Sequence, residues 1–353
     1  MHSELSDRER RVLAAVIQSY VATAEPAGSR TIARKFGLNV SPATIRNTMS
    51  DLEEKGFLFH PHTSAGRVPT HKAYRVYVDA LIDVPALEPE DESRLAAHLA
   101  VVAVNGRVDT IEAILRRAAQ SLGVLTQELG VAVGPQLDAA ALRQIDLVRL
   151  ASDRLLVVFT LDRGAVRTVF VEVPGEIPDD AVRDVARVLN ERLAGRTLAE
   201  LRGTLAERLR DAPPTADAAA ELLNIFVAGA GPLVEADAGP GAPALVMGQP
   251  SLLADQPEFA SGPEMRRLLE LTETREDLAR LLTRRAGQTA GPSVTIGTEH
   301  DDPRLAAFTV VTAEYRAAGL SGVIGVIGPT RMPYEKVIAL VSHTSRLVSD
   351  LLH

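Results

Sequence analysis

The run Ser41-Pro42-Ala43-Thr44-Ile45-Arg46-Asn47-Thr48-Met49-Ser50-Asp51-Leu52-Glu53-Glu54-Lys55-Gly56 carries its own start and stop signals for a helix. Ser41 is an N-cap type, Pro42 stands at the first helical position, where a missing N–H costs nothing, and Gly56 is a C-terminal stop. At about 100° per residue, Ile45, Met49 and Leu52 share one face, with Thr48 at its margin. Ala43, Asn47, Ser50 and Glu54 point the opposite way, and Arg46 sits at the flank. A face of small and amide side chains near a helix start suits the floor of a DNA groove. Asn can pair bidentately with adenine, Arg with guanine, and Ala can meet a thymine methyl. Ser41 and Thr44 lie where helix N-termini approach phosphates. Taken alone, such a helix is more often plain solvent-facing surface, so the reading depends on its flanks.

Upstream, Ser6 and Glu9 have the spacing of a capping box. Val12, Leu13, Val16, Ile17, Tyr20 and Val21 then recur with helical period up to about Ala24. Gly28-Ser29 opens a second short helix lined by Ile32, Ala33 and Phe36 and stopped by Gly37. Downstream, Phe57–His60 and Arg67–Pro69 read as two short strands around the turn-rich tip Pro61–Gly66. Thr70 starts a further helix through Tyr74, Val78, Leu81 and Ile82. Two helices, a Ser-Pro-capped third helix and a two-stranded basic wing, in that order, predict a winged helix-turn-helix over residues 1–83. In the wing, His62, Ser64 and Arg67 are placed for the minor groove or the backbone. Lys72 and Arg75 begin the next helix on the same side, and Arg30 and Lys35 are weaker candidates; ordinary surface charge is the competing account of the helix residues.

The charge distribution agrees with this placement. The whole chain carries −8, yet residues 1–83 hold 11 Lys+Arg against 9 Asp+Glu, and the remainder 27 against 37. A basic block on an acidic body confines attraction for DNA to one end. At 353 residues, two or three domains are expected. With no Cys, a disulfide framework, a thiolate zinc site and a cysteine nucleophile are excluded. The N-terminus MHSELSDRER lacks the apolar core of a signal peptide, and no run approaches the roughly 18 apolar residues of a membrane span. A cytoplasmic protein with no membrane partner is the expectation.

Past residue 83, Val84-Pro85-Ala86-Leu87-Glu88-Pro89-Glu90 reads as a linker, placed at 84–93. Helical segments follow at about 91–104 and 107–122, with a possible strand at Val131–Gly134. Arg143–Leu150, Leu155–Leu161 and Val166–Val173 suggest a meander with a hairpin turn at Asp162–Gly164. Asp179–Ala194 is amphipathic. Residues 197–290 are helical at both ends and Gly/Pro-rich from Gly229 to Pro263, with helical pattern over Glu264–Arg285. Sheet pattern returns at Ser293–Gly297, Phe308–Arg316 and Gly322–Ile327, before an amphipathic helix at Tyr334–Leu352. Sheet, helices, then sheet again predict an α+β domain in two parts, 94–197 and 291–353, carrying a mainly helical insertion at 198–290.

Ser41 through Glu53, Leu58 through Thr70 (LFHPHTSAGRVPT) and Lys72-Ala73-Tyr74-Arg75 closely resemble the heat-inducible transcription repressor family HrcA. The likeness runs more loosely through Gly134-Pro135, Ile145–Leu150, Leu189–Leu193 and Gly322–Leu352, so it covers most of the chain. The resemblance implies a winged-helix domain, a GAF-like domain and an insertion that contributes to dimerisation. It implies repression of the GroE and DnaK chaperone operons through an inverted-repeat operator, CIRCE, with activity maintained by the GroE chaperonin. Independently, one recognition helix covers only a half-site, so a two-fold operator asks for a homodimer.

No cofactor, metal or catalytic set is expected. His300-Asp301-Asp302 lacks a second cluster at ligand spacing and reads as a solvated loop. Ile324-Gly325-Val326-Ile327-Gly328 is better explained as a buried, closely packed strand than as a phosphate cradle. Arg331, before the last helix, is either an anion holder or, more simply, a structural loop residue. No P-loop, G-x-S-x-G or H-E-x-x-H occurs. The rivals are a metabolite-responsive regulator and an enzyme fused to a DNA-binding module.

Overall fold

Ser6 and Glu9 close the capping box that their spacing predicts, and helix α1 (Asp7–Thr23) starts there. This is seen in a computed structural model that describes residues 5–61, 66–100, 111–135, 140–162, 166–173, 175, 177–210, 217–228, 245–285, 291–317 and 320–352. Helix α2 (Ser29–Phe36) ends at Gly37, which adopts φ +55°. Helix α3 (Pro42–Glu54) starts at Ser41, whose hydroxyl accepts the Thr44 N–H. Strands β1 (Leu58–Phe59) and β2 (Val68–Pro69) pair antiparallel. Helix α4 (His71–Val76), capped by the Thr70 hydroxyl, widens into a π turn over Tyr77–Leu81 rather than continuing as α-helix to Ile82. Val12, Leu13, Val16, Ile17, Ile32, Ile45, Met49, Leu52, Phe57 and Tyr74 are buried. Apart from Phe57, which lies between α3 and β1, they are the apolar stripes anticipated for these helices, turned inward on one core.

The Glu9 carboxylate does two jobs. It accepts the Ser6 N–H at 2.7 Å at the start of α1, and it holds Lys55 Nζ at 2.7 Å at the end of α3. The Lys55 hydrogen bond, supported by those of Ser6, holds the Glu9 carboxyl below its usual value against the opposing effect of burial. A depressed folded-state pKa stabilises above the unfolded value near 4.5 and loses that effect as pH falls through the folded value. Glu9→Gln should therefore lower the melting temperature at pH 7, with the gap to wild type closing below about pH 4.5; thermal melts across pH 3–7 check this.

Beyond the winged helix, α5 (Pro89–Ala100) and α6 (Ile111–Thr126) lead to β3 (Leu129–Val133). The meander follows as β4 (Leu142–Ala151), β5 (Arg154–Leu161) and β6 (Val166–Glu172), then α7 (Asp179–Leu193), α8 (Leu198–Arg210) and α9 (Asp217–Ala228). Strand β7 (Leu245–Met247), the short α10 (Ser251–Ala254), α11 (Gly262–Glu273) and α12 (Arg275–Arg285) come next. The chain closes with β8 (Ser293–Ile296), β9 (Phe308–Ala317), β10 (Leu320–Pro329) and α13 (Tyr334–Leu351). The single pattern expected over Glu264–Arg285 is two helices broken at Thr274. Residues Arg163 and Gly164 of the expected hairpin turn lie outside the described residues.

Two separate sheets result. One has the order β7-β3-β10-β9-β8, the other β4-β5-β6. The chain divides accordingly into Met1–Ala132, Val246–Glu314 and Val323–Val348 in one unit, and Val133–Leu245, Tyr315–Gly322 and Ser349–His353 in the other. In the second unit the alternating inward residues Leu142, Ile145, Leu155, Val157, Phe159 and Leu161 meet Val185 and Leu189 of α7, Leu201 and Leu205 of α8, and Leu222 and Phe226 of α9 in one core. This core runs across residue 198, and the segment that interrupts the first unit runs from Val133 to Leu245. Helical period shows that α7, α8 and α9 have apolar faces, but not which sheet those faces meet.

In the first unit, Val323, Ile324, Val326 and Ile327 of β10 are buried. A Cβ on Gly325 would fall 2.1 Å from the Val311 carbonyl oxygen, so the glycine-containing run is a close-packed strand. Helix α13 buries Val337, Ile338, Val341 and Val348 on its apolar stripe. His300 is buried and its Nε2 lies 3.2 Å from the Phe308 carbonyl, which gives it a structural partner within its own loop.

Candidate DNA interface

Helix α3 presents the two faces its sequence predicts. Ile45, Thr48, Met49 and Leu52 are buried, whereas Ala43, Arg46 and Asn47 are exposed and Ser50 is partly so. Ser41 Oγ accepts the Thr44 N–H at 3.1 Å and lies 2.9 Å from Thr44 Oγ1, so this pair closes the first turn and orders its free N–H groups. Ser50 Oγ donates back to the Arg46 carbonyl at 3.2 Å. Arg46 and Asn47 are thus the long polar side chains left on the outer face of the first two turns, and both carry functional groups that match base edges.

The wing is tied to this helix by contacts that span the whole domain. The backbones of Ala27 and Arg67 exchange hydrogen bonds of 2.9 and 3.0 Å, adding the α1–α2 connection to the edge of the β1–β2 ladder. Arg67 Nη2 holds Glu53 of α3 at 2.8 Å, and its side chain is only 17% exposed. Lys72 lies over the Phe57 ring at 4.3 Å and donates to the Lys55 carbonyl at 3.2 Å, a positive charge at the C-terminus of α3. Arg75 holds Asp79 at 2.7 Å and reaches Val294 O at 2.9 Å and Glu299 at 3.2 Å. His62 and Ser64 lie outside the described residues.

The structure therefore brings Ser41, Ala43, Thr44, Arg46, Asn47 and Ser50 together on one accessible helix face. Arg67, Lys72 and Arg75 are engaged within the protein, holding wing and helices in register. Sequence reasoning did not find the partners: Ala27, Glu53 and Glu9 for the domain itself, and Val294 and Glu299 for Arg75. The only local signal among these was the Ser6–Glu9 spacing. The rest are pairings between distant segments that no period encodes.

A helix with an outward-facing polar row, held against a paired wing, defines a winged helix-turn-helix DNA-binding protein. Residues 4–80 match a family described as the winged helix-turn-helix transcription repressor, HrcA DNA-binding. Residues 112–338 match the HrcA protein C terminal domain. Among curated relatives, the heat-inducible transcription repressor HrcA of Chlorobium limicola is 38% identical, with 99% of this chain and 98% of that protein covered. Those of Chlorobium chlorochromatii and Geobacter sulfurreducens are each 36% identical, covering 99% of this chain and 98% and 99% of theirs. The chain belongs to the HrcA family of heat-inducible transcription repressors. A crystal structure described as a hypothetical protein shares the fold over 99% of both chains, with a TM-score of 0.59 at 21% identity. Among the described residues no helix is long and apolar enough to cross a membrane.

Proposed function

We propose that this repressor acts as a cytoplasmic homodimer on the CIRCE inverted-repeat operator of the GroE and DnaK chaperone operons, with the GroE chaperonin keeping it active. The observation that carries the operator reading is the exposed row Ala43, Arg46 and Asn47, continued by the half-buried Ser50, on a helix whose other face is packed. Arg46 and Asn47 meet base edges, and Ser41 and Thr44 position the helix N-terminus on phosphate. His62 and Ser64 extend the contact through the wing. Arg67 and Lys72 contribute positive potential near the backbone while their present partners hold the domain together, whereas Arg75 is held within the protein by Asp79, Val294 and Glu299. The five-stranded part of the chain is read as the GAF-like domain and Val133–Leu245 as the inserted dimerisation unit. Two linked half-sites reach the specificity that operators require more readily than one. A repressor of marginal stability gives the chaperonin its lever, because chaperone supply then sets the folded fraction.

Electrophoretic shifts with the inverted repeat and a scrambled competitor, with and without chaperonin, test this reading. Wild type should prefer the inverted repeat, and chaperonin should raise the active fraction. Asn47→Ala should cost about 1–3 kcal/mol on the operator and relax base preference at one position per half-site. Intact discrimination in Asn47→Ala would show that this side chain does not read a base, and robust binding indifferent to chaperonin would remove the chaperonin from the scheme.

A further inference from the structure

The winged helix is joined to the following helix α5 by irregular backbone over residues 82–88, including Pro85, a tether short enough to keep it near yet long enough to let it pivot. Side chains remove that freedom. Arg331, in the loop between β10 and α13, donates from Nη1 to the Val21 carbonyl in the last turn of α1 at 2.8 Å. Its other nitrogens are held by the Glu258 carboxylate, one of them at 3.0 Å, and its side chain is 16% exposed. Arg75 of α4 reaches Val294 O and Glu299 while Asp79 fixes its other edge. Tyr77, in the π turn, donates to Glu335 of α13 and accepts from Gln18 of α1 at 3.2 Å. The Tyr74 and Tyr334 rings pack at a tilt of 44° with centroids 5.7 Å apart. None of these contacts uses the outer face of α3.

The geometry points to Arg331 and Arg75 as positioning residues that set which operator spacing the repressor accepts. A dimer of readers on free tethers tolerates many half-site separations, whereas a dimer of braced readers accepts the one that matches its own dimension. Arg331 is suited to this because a planar guanidinium holds a carboxylate and a carbonyl at fixed angles. The brace rests on the homodimer and inverted-repeat reading above. It adds to base recognition, which belongs to α3, a recognition of distance and helical phase that freely pivoting readers lack.

The test uses the full-length protein and operators whose half-site separation is changed by about five base pairs, half a helical turn, or by about ten, a full turn. Wild type should lose roughly 100-fold in affinity at the half-turn insertion. Arg331→Met and Arg75→Gln should each reduce that loss to within about five-fold while a base change within one half-site discriminates as in wild type. Arg75→Gln leaves the Arg331 clamp intact and serves if Arg331→Met proves unstable. Undiminished spacing discrimination in a folded variant overturns the brace alone. A uniform loss across all spacings in Arg75→Gln, with a salt slope lower by about one, makes Arg75 a phosphate contact and likewise overturns its assignment. A wild type indifferent to half-site inversion overturns the operator reading, and the brace with it.

Discussion

Glu128→Gln is expected to raise the thermal unfolding midpoint at pH 8 and to leave it nearly unchanged at pH 5. Glu128, just before β3, is only 2% exposed. Its Oε2 accepts from Gln256 Nε2 at 3.1 Å and is packed so closely on β10 that a Cβ at Gly328 would fall 2.2 Å away. Burial pushes its carboxyl up to about 8; the Gln256 hydrogen bond and the nearby Arg331 oppose this, and Glu258 adds to it. Between the ordinary value near 4.5 and about 8 the folded chain holds a proton that the unfolded chain has released, so stability falls as pH rises through this window. Over pH 5–8 the loss is about 3 kcal/mol. Glutamine keeps the shape and the acceptor for Gln256 without an ionisable proton. A gain of about 3 kcal/mol corresponds to roughly 6–12 °C for a unit of this size. Calorimetry of both proteins at the two pH values decides it, and parallel profiles would show that Glu128 is ionised without penalty. A buried carboxyl group whose retained proton weakens the fold near neutral pH fits a repressor whose family is named for heat induction.

Gly66→Ala should abolish operator binding while leaving most helical structure intact. A Cβ at Gly66 would lie 2.4 Å from both the carbonyl carbon and oxygen of Ala27 and 2.6 Å from Pro26 O. These are backbone atoms, so no side chain can rotate away, and the strand must move. Moving it breaks the two Ala27–Arg67 hydrogen bonds, each worth about 1 kcal/mol, and draws Arg67 from Glu53. Overpacking of this kind costs typically about 1–3 kcal/mol more. The lesion is local to the wing, because the apolar core of α1, α2 and α3 uses none of these atoms. Far-UV circular dichroism should change little while the electrophoretic shift disappears. Normal operator affinity would mean that the wing does not need its anchor on the α1–α2 connection.

Both effects turn on contacts absent from local pattern. Helices α1, α2 and α3 were legible because each carries a cap, a stripe of period 3.6 and a stop within fifteen or so residues. The same period separated the buried Ile45, Met49 and Leu52 from the outward Ala43, Arg46 and Asn47, and so located the reading face. Where side chains pair across the chain, pattern was silent. Arg67, Lys72 and Arg75 read as cations facing outward, yet Glu53, the Lys55 carbonyl and Glu299 occupy them. The three residues of β7 are too few to show an alternation. The apolar faces of α8 and α9 gave no hint that they would close over the meander.

Residues 1–83 thus determined by themselves a capped helical reader and a wing, since caps, stops and amphipathic periods act over one or two turns and need no partner. Tertiary structure decided what those parts lean on: Glu9 against Lys55 across 46 residues, and Arg331 against Val21 across 310. A charge or a buried carboxyl has many possible neighbours along a chain of 353 residues, and only packing selects one, because the energy of each pairing depends on the distance and burial that the finished fold imposes.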